Sequence, residues 1–239
     1  MLRFAKASAL AVVMLAGAVP GAGAAPMLEI VGGVSQVLKT GSGTPSFNPA
    51  NYYTAADPDA LFRQGSTVTA IQGNDVLGTG TAKSASNGLK VNQQVYATFT
   101  YMGKEAGYRN LLLAMDGGYD TVFATSGTGS VAPGSVSGKF LLGPQFLDFK
   151  LESYSNGSLV SQFLNNGTAT TGSGLAYVLG TGKTYAIMGF DDSGAGPDAD
   201  YDDIVFRIDI TAVPLPAAAW LLIGGMAGLG FASRKRKVA

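Results

Sequence analysis

Residues 189–210 read GFDDSGAGPDADYDDIVFRIDI. The last seven alternate without interruption. Ile204, Phe206, Ile208 and Ile210 fall on one side of an extended chain, and Val205, Arg207 and Asp209 fall on the other. Side chains of a strand leave it on opposite faces with period two, so this pattern predicts a strand with one buried face. Working outward, similar short runs rich in Tyr, Phe, Val and Thr recur between turns of Gly, Asn, Ser and Asp. They cover Leu28–Val34, Thr67–Gln72, Gln94–Tyr101, Leu111–Met115, Tyr119–Ala124, Gln145–Glu152, Leu159–Leu164, Leu175–Leu179 and Lys183–Phe190. Many short strands with regular turn signals predict an all-β domain, a β-sandwich of jelly-roll-like kind. No internal repeat points to a solenoid or propeller.

The turn chemistry agrees with this. Asn156-Gly157 lies between two strand candidates and predicts a tight hairpin. Asn166-Gly167 is read the same way. Both also fit N-x-S/T but are read here as turns. Gly127-Thr128-Gly129 and Gly78-Thr79-Gly80 are further turns. Residues Pro45–Gln64 show no period. They predict a long loop with one helical turn over Pro58–Phe62, opened by Asp57 as N-cap. The aromatics of this loop, Phe47, Tyr52, Tyr53 and Phe62, are candidate stacking platforms for a polysaccharide.

The 239 residues carry 16 Lys+Arg and 16 Asp+Glu, but the charges are segregated. Arg3 and Lys6 lie at one end, and Arg234, Lys235, Arg236 and Lys237 at the other. All 16 acids lie between Glu29 and Asp209, so residues 25–211 carry a net charge of −6. A body of that sign argues against a nucleic-acid partner, which needs clustered cations. The chain has no His and no Cys. Zinc sites, His-dependent nucleophile systems, thiol redox and disulfides are thereby excluded.

The two ends read as addresses. Residues 1–24 form a secretory signal peptide: a basic n-region at Arg3 and Lys6, an apolar run from Ala7 to Val19, and Ala22-Gly23-Ala24 as the cleavage site. Signal peptidase would leave a mature chain starting at Ala25. The β domain then spans residues 25–211. Residues 213–239 have three parts: the motif Val213-Pro214-Leu215-Pro216-Ala217, an uncharged apolar stretch, and the basic cluster Arg234-Lys235-Arg236-Lys237. Residues 213–232 are long enough for a transmembrane helix across a core of ~30 Å, with the basic tail 233–239 as its cytoplasmic stop. Trp220 sits near the outer end, where an indole prefers the interface.

The string VPLPAAAWLLIGGMAGLGFASRKRK, in its motif–helix–basic order, resembles the VPLPA-type variant of the PEP-CTERM sorting signal of Gram-negative bacteria. The resemblance implies an exosortase-type membrane protease/transpeptidase as partner, cutting near Val213–Ala217. The body would be anchored transiently in the inner membrane, facing the periplasm, and then moved to the cell surface or beyond.

Six carboxylates crowd residues 191–203: Asp191, Asp192, Asp198, Asp200, Asp202 and Asp203. Like charges this close need a compensating cation or full solvation. Gly194, Gly196 and Pro197 let the backbone fold round and expose carbonyl oxygens. A set of hard oxygen ligands suits calcium, so calcium is the expected cofactor; a solvated acidic loop is the alternative. An EF-hand is rejected. Asp198, Asp200 and Asp202 fit its first, third and fifth positions and Asp209 its twelfth, but Asp203 stands where Gly is required and a strand follows instead of a helix.

GFDDSGAGPDADYDDIVF, with Gly189, Phe190, Asp192, Asp198, Asp200, Tyr201 and Asp203 in place, is similar to the closing motif of exported bacterial β domains of the DUF4114 type. Asp191 and Asp202 replace that motif's Glu and Asn. Upstream, YMGKEAGYRN (101–110), with Glu105, Gly107, Tyr108 and Asn110, resembles a second segment of those domains. The implied fold is a β-sandwich whose acidic loop holds calcium.

For catalysis the chain offers little. Its three Glu are Glu29, Glu105 and Glu152. Glu105, beside Tyr108 and Arg109, is the best acid candidate, weighed against a turn carboxylate paired with Lys104 or Arg109. No nucleophile elbow, P-loop or dinucleotide fingerprint is present. The expectation is a non-enzymatic structural or adhesive surface protein. A calcium-dependent polysaccharide-binding module is the alternative, and a surface glycan-active enzyme stands behind both. In an exosortase-bearing host, mass spectrometry of released protein is expected to find neither residues 1–24 nor any peptide from Trp220 onward. An intact Arg234–Ala239 tail in released protein would mean plain anchoring.

Overall fold

A computed structural model describes residues 27–38, 54–72, 81–82, 84, 86–105, 107–115, 118–170, 173–192, 201–213 and 224–226. The signal peptide, the residues of the sorting motif after Val213, the apolar span except 224–226, and the basic cluster lie outside them. Among the described residues no helix is long and apolar enough to cross a membrane.

The described chain is predominantly β, in three sheets. The elements are β1 (Glu29–Val31), β2 (Val34–Val37), β3 (Thr67–Gln72), β4 (Thr81–Ala82), β5 (Gly88–Val91), β6 (Val95–Gly103), β7 (Arg109–Met115), β8 (Tyr119–Ala124), β9 (Phe140–Leu142), β10 (Gln145–Phe146), β11 (Phe149–Ser155), β12 (Ser158–Leu164), β13 (Gly174–Leu179), β14 (Tyr185–Asp191) and β15 (Ile204–Ala212). The largest sheet runs β2-β3-β13-β14-β15-β6-β9, with β4 beside β3. The second runs β12-β11-β7-β8 and the third β1-β5-β10.

β15 sits between β14 and β6 in the largest sheet. Its alternation is used as its sequence requires. Ile204, Phe206, Ile208 and Ile210 enter the main core, while Val205 enters a second apolar cluster on the opposite face. Across the main core the largest sheet faces β7, β8, β11 and β12. Phe149 of β11 meets Phe206 edge-on at 6.0 Å, and Phe99 of β6 touches both rings. Fully burying one such ring removes some 150–250 Å² from water, and truncating one to Ala typically costs 3–5 kcal/mol.

The opposite face of the largest sheet is sealed by a strap, residues 54–66. Ala56 and Phe62 pack there on Val68, Ala70, Ile187, Tyr201 and Val205. Arg207 ties the strap down: its Nη1 donates to Ala56 O at 2.7 Å, and its guanidinium lies 3.8 Å from the centre of the Tyr185 ring. Asp59 accepts from the Tyr185 hydroxyl and from Thr181 N. These bonds, the Tyr185 hydroxyl first, hold the Asp59 carboxyl below its ordinary pKa.

Several expectations are corrected. The single strand expected over Leu28–Val34 is two, in different sheets. Gly32 and Gly33 take φ of 75° and 88°, and a Cβ on Gly33 would lie 2.6 Å from Thr69 Cγ2 and 2.8 Å from Ala70 O. The strand expected over Gln145–Glu152 also breaks, after Phe146. There the buried Asn165 side chain replaces a ladder, donating to Leu89 O at 2.6 Å and Leu147 O at 2.8 Å and accepting from Leu89 N at 2.7 Å. The helical turn expected over Pro58–Phe62 is absent. A 3-10 turn covers Thr54–Ala56 instead, and Asp57 Oδ2 accepts from Phe62 N at 2.9 Å. β14 starts at Tyr185 because Thr181–Lys183 form a 3-10 turn. Asn156-Gly157 is the expected hairpin, with φ of 49° and 80°. Asn166-Gly167 also reverses the chain as expected: Leu164 N donates to Thr168 O at 3.1 Å, Thr170 N donates to Gln162 O at 2.8 Å and Phe163 bridges Ala169 antiparallel, although the next strand, β13, belongs to a different sheet.

Gly189 is the tightest point between the strap and the largest sheet. A Cβ there would lie 2.1 Å from Tyr201 O and 2.5 Å from Phe62 Cζ. Neither can step aside, since one is backbone and the other a buried ring. Gly189→Ala is expected to destabilise the protein by about 3 kcal/mol, the upper end of overpacking costs, read from the midpoint of urea unfolding. Adding Phe62→Ala should not restore stability, because the Tyr201 carbonyl remains in the way.

Candidate functional site

β14 ends in Asp191 and β15 begins at Ile204, so two consecutive pairs, Asp191-Asp192 and Asp202-Asp203, flank the acidic loop. Asp198 and Asp200 lie outside the described residues. The other four are buried, at 0%, 4%, 2% and 9% exposure for Asp191, Asp192, Asp202 and Asp203. That burial is unexpected for a loop base. A carboxylate out of water must be hydrogen-bonded or paired, because desolvating it alone costs many kcal/mol.

The bonds come from both large sheets. Asp203 Oδ2 accepts from Asp192 N at 2.6 Å and closes the base of the loop. Asp203 N donates to Phe190 O at 3.2 Å. From β7, Asn110 Nδ2 donates to Asp192 Oδ2 at 2.7 Å and to Asp203 O at 3.1 Å. Its amide orientation is fixed from behind by Ser153 Oγ of β11, which donates to Asn110 Oδ1. Its backbone is clamped to Thr125, by Asn110 N to Thr125 Oγ1 at 2.9 Å and Thr125 N to Asn110 O at 3.0 Å. Ser161 Oγ of β12 donates to Asp192 O at 3.0 Å. Thus YMGKEAGYRN and the acidic segment, some eighty residues apart in sequence, meet in space.

Glu105 is exposed. Its main-chain N–H, not its carboxylate, reaches the cluster, donating to Asp202 O at 2.8 Å. Arg109 does not pair with it: Nε and Nη2 donate to Ser126 O and Thr128 O. Asp209 belongs to a strand and is bonded by Arg207 Nε at 2.8 Å. Phe62 is buried at 5% exposure and is therefore no stacking platform; Phe47, Tyr52 and Tyr53 lie outside the described residues. Val213 is half-buried just beyond β15.

Ser153, Ser161 and Thr125 were not read as site residues from sequence. One signal existed. Ser153 follows Phe149 and Leu151, and Ser161 precedes Phe163, at the inward positions of their strands, where the period calls for an apolar side chain. A small hydroxyl on a core face needs a polar partner, and here the partners are the Asn110 amide and the Asp192 carbonyl.

No protein-family model, curated protein or solved structure matches the chain. Among the described residues no three carboxylates converge as a metal-ligating group. The arrangement instead presents an anchored, carboxylate-lined junction between β14 and β15.

Asn110 is the member whose loss is most diagnostic. Asn110→Ala leaves a buried carboxylate and a buried carbonyl without their donor, and is expected to cost about 3 kcal/mol in urea unfolding. Asn110→Asp conserves shape yet sets a carboxylate against Asp192. It should cost at least as much, since like charges in such contact cannot both stay ionised. An Asn110→Asp protein as stable as the parent would show that shape, not the amide donor, is what matters.

Proposed function

We propose that the chain is an exported structural or adhesive protein of the cell surface or extracellular matrix whose β domain is stabilised by calcium. The observation that carries the metal reading is the burial of Asp191, Asp192, Asp202 and Asp203 at the base of a loop bearing two further carboxylates, Asp198 and Asp200. A divalent cation is the natural counter-charge for six acids in thirteen residues. Oxygen ligands, a Gly-rich backbone and the absence of His and Cys favour calcium over transition metals.

The address rests on the two terminal patterns: export through signal peptidase, transient anchoring in the inner membrane, and release or transfer by an exosortase-type enzyme. The face-to-face packing of the two larger sheets supports reading the body as a β-sandwich of jelly-roll-like kind. An exported domain without disulfides gains most from a metal, since binding to the folded state alone adds directly to stability. A calcium-dependent polysaccharide-binding module at the same address is the second reading. A surface glycan-active enzyme is third.

Calcium at 100 times its Kd adds about 2.7 kcal/mol. For a domain of this size that is a rise of roughly 5–10 °C in Tm, measured on the full chain in detergent. Magnesium should substitute poorly, because it demands near-ideal octahedral geometry. Asp200→Ala should abolish most of the shift. Identical melts in calcium and in EGTA would reduce the acidic segment to a solvated turn on a polar base.

A further inference from the structure

At the other end of β14 from the aspartates lies a cavity of about 640 Å³. Its floor is set by strand register. Glu29 of β1 stands opposite Lys90 of β5, and Lys90 opposite Phe146 of β10, so the three share one face of the small sheet. The alternate residues Leu28, Leu89 and Val91 go to the main core. Asn92, Gln145 and Lys183 also line the cavity. Lys183 is held to the sheet by its own carbonyl, which accepts from Leu28 N at 2.7 Å.

Two features mark this as more than a surface dent. Four described non-glycine residues have positive φ, and two of them, Gln145 at 77° and Lys183 at 55°, line the cavity. A side chain with a Cβ disfavours that region, and such conformations concentrate at ligand clamps. The second feature is charge. Lys90 is engaged by Glu29 at 3.1 Å, whereas Lys183 has no carboxylate partner among the described residues. The described lining of the cavity therefore carries one net positive charge, on a body whose net charge is −6.

We propose that this cavity binds a uronic-acid residue of an acidic polysaccharide. One uncompensated ammonium matches one carboxylate. The side-chain amides of Asn92 and Gln145 offer both donors and acceptors, which is what vicinal hydroxyls need. The half-buried Phe146 supplies an apolar wall for the C–H face of a sugar ring. Phosphorylated ligands fit worse: among the described residues no Arg lines the cavity to grip phosphate bidentately, and Glu29 repels a second negative charge. The inference goes beyond the proposed address and does not depend on the metal, since the length of β14 puts Lys183 roughly 25 Å from Asp192, beyond two Debye lengths at physiological salt.

The test titrates the detergent-solubilised full chain with tetragalacturonate by calorimetry, once at fixed free calcium and once in EGTA, with cellotetraose as the neutral control. Tetragalacturonate is expected to bind and cellotetraose not. Lys183→Asn keeps a residue that tolerates the left-handed conformation while removing the cation, and should weaken binding at least about tenfold. Lys183→Arg should retain it. Binding present with calcium and lost in EGTA together with the folded signal supports the cavity and assigns the loss to the metal. The proposal is overturned if tetragalacturonate fails to bind in both buffers, if cellotetraose binds equally, if Lys183→Asn binds as the parent does, or if inorganic sulfate displaces the sugar at equal concentration.

Discussion

The two large sheets are joined at one end by a polar knot, and the amide of Asn110 is its centre. Apolar packing between sheets is strong but weakly directional: Phe99, Phe149 and Phe206 would tolerate small slides of one layer over the other. Asn110 does not tolerate them. Its side chain is fixed by Ser153 on its own sheet and delivers two N–H bonds to groups on the other, 2.7 Å to Asp192 Oδ2 and 3.1 Å to Asp203 O. In a medium of low dielectric each of these bonds is electrostatically stronger than in water, and each costs more to leave unmade. The knot fixes the register of the layers and clasps the two ends of the acidic segment, one at Asp192 and the other at Asp203.

From that end the rest of the largest sheet is held by contrast and by sealing. β14 and β15 carry the inner rings on one face; on the other, the strap closes over Ile187, Gly189 and Val205 and is bonded by Tyr185 and Arg207. The strap has little regular structure, so its backbone is positioned by discrete bonds: Asp57 to Phe62 N, Asp59 to Thr181 N and Tyr185, and Arg207 to Ala56 O. Burial pushes the Tyr185 hydroxyl above its ordinary pKa, and the bond to Asp59 adds to this. Gly189 shows why the strap cannot ride higher or lower. At this position of β14, Phe62 and the Tyr201 carbonyl both reach the strand.

Strands with clean periodicity were legible in the sequence. Thr67–Gln72 and Tyr119–Ala124 have the expected bounds, and β15 uses both of its faces as its alternation demands. What was not legible depends on partners far along the chain. Hydropathy reads straight through Gly32-Gly33, although the backbone turns there to leave one sheet for another. β5 and β9 are four and three residues long, too short to carry a period, and exist because β1, β10 and β6 offer them ladders. In the candidate site, the aspartates declared themselves by density. Asn110 was visible only through a resemblance of its segment. Ser153 and Ser161 gave only the faint signal of a hydroxyl at an inward strand position, which gains its meaning once the facing sheet is known.

The same strand also orders the electrostatics. β14 begins beside Lys183 and ends at Asp191-Asp192, so it connects a cationic cavity to the densest carboxylate cluster of the chain. Had these groups been adjacent, they would have paired with one another. At opposite ends of a buried strand, they are too far apart to compensate through a screened solvent. Each end is then stabilised by its own surroundings, the buried aspartates by hydrogen bonds and the exposed Lys183 by solvent or by an anion. At the acidic end, the Asn110 amide and main-chain N–H groups bond the carboxylates. At the basic end, Glu29 takes one lysine and leaves the other available to an anion from outside. Under the proposed function, a metal would hold the sandwich closed at one end while the other stays open to acidic polymer. Cation and polymer would then act on separate surfaces of one rigid body, without competing for the same carboxylates.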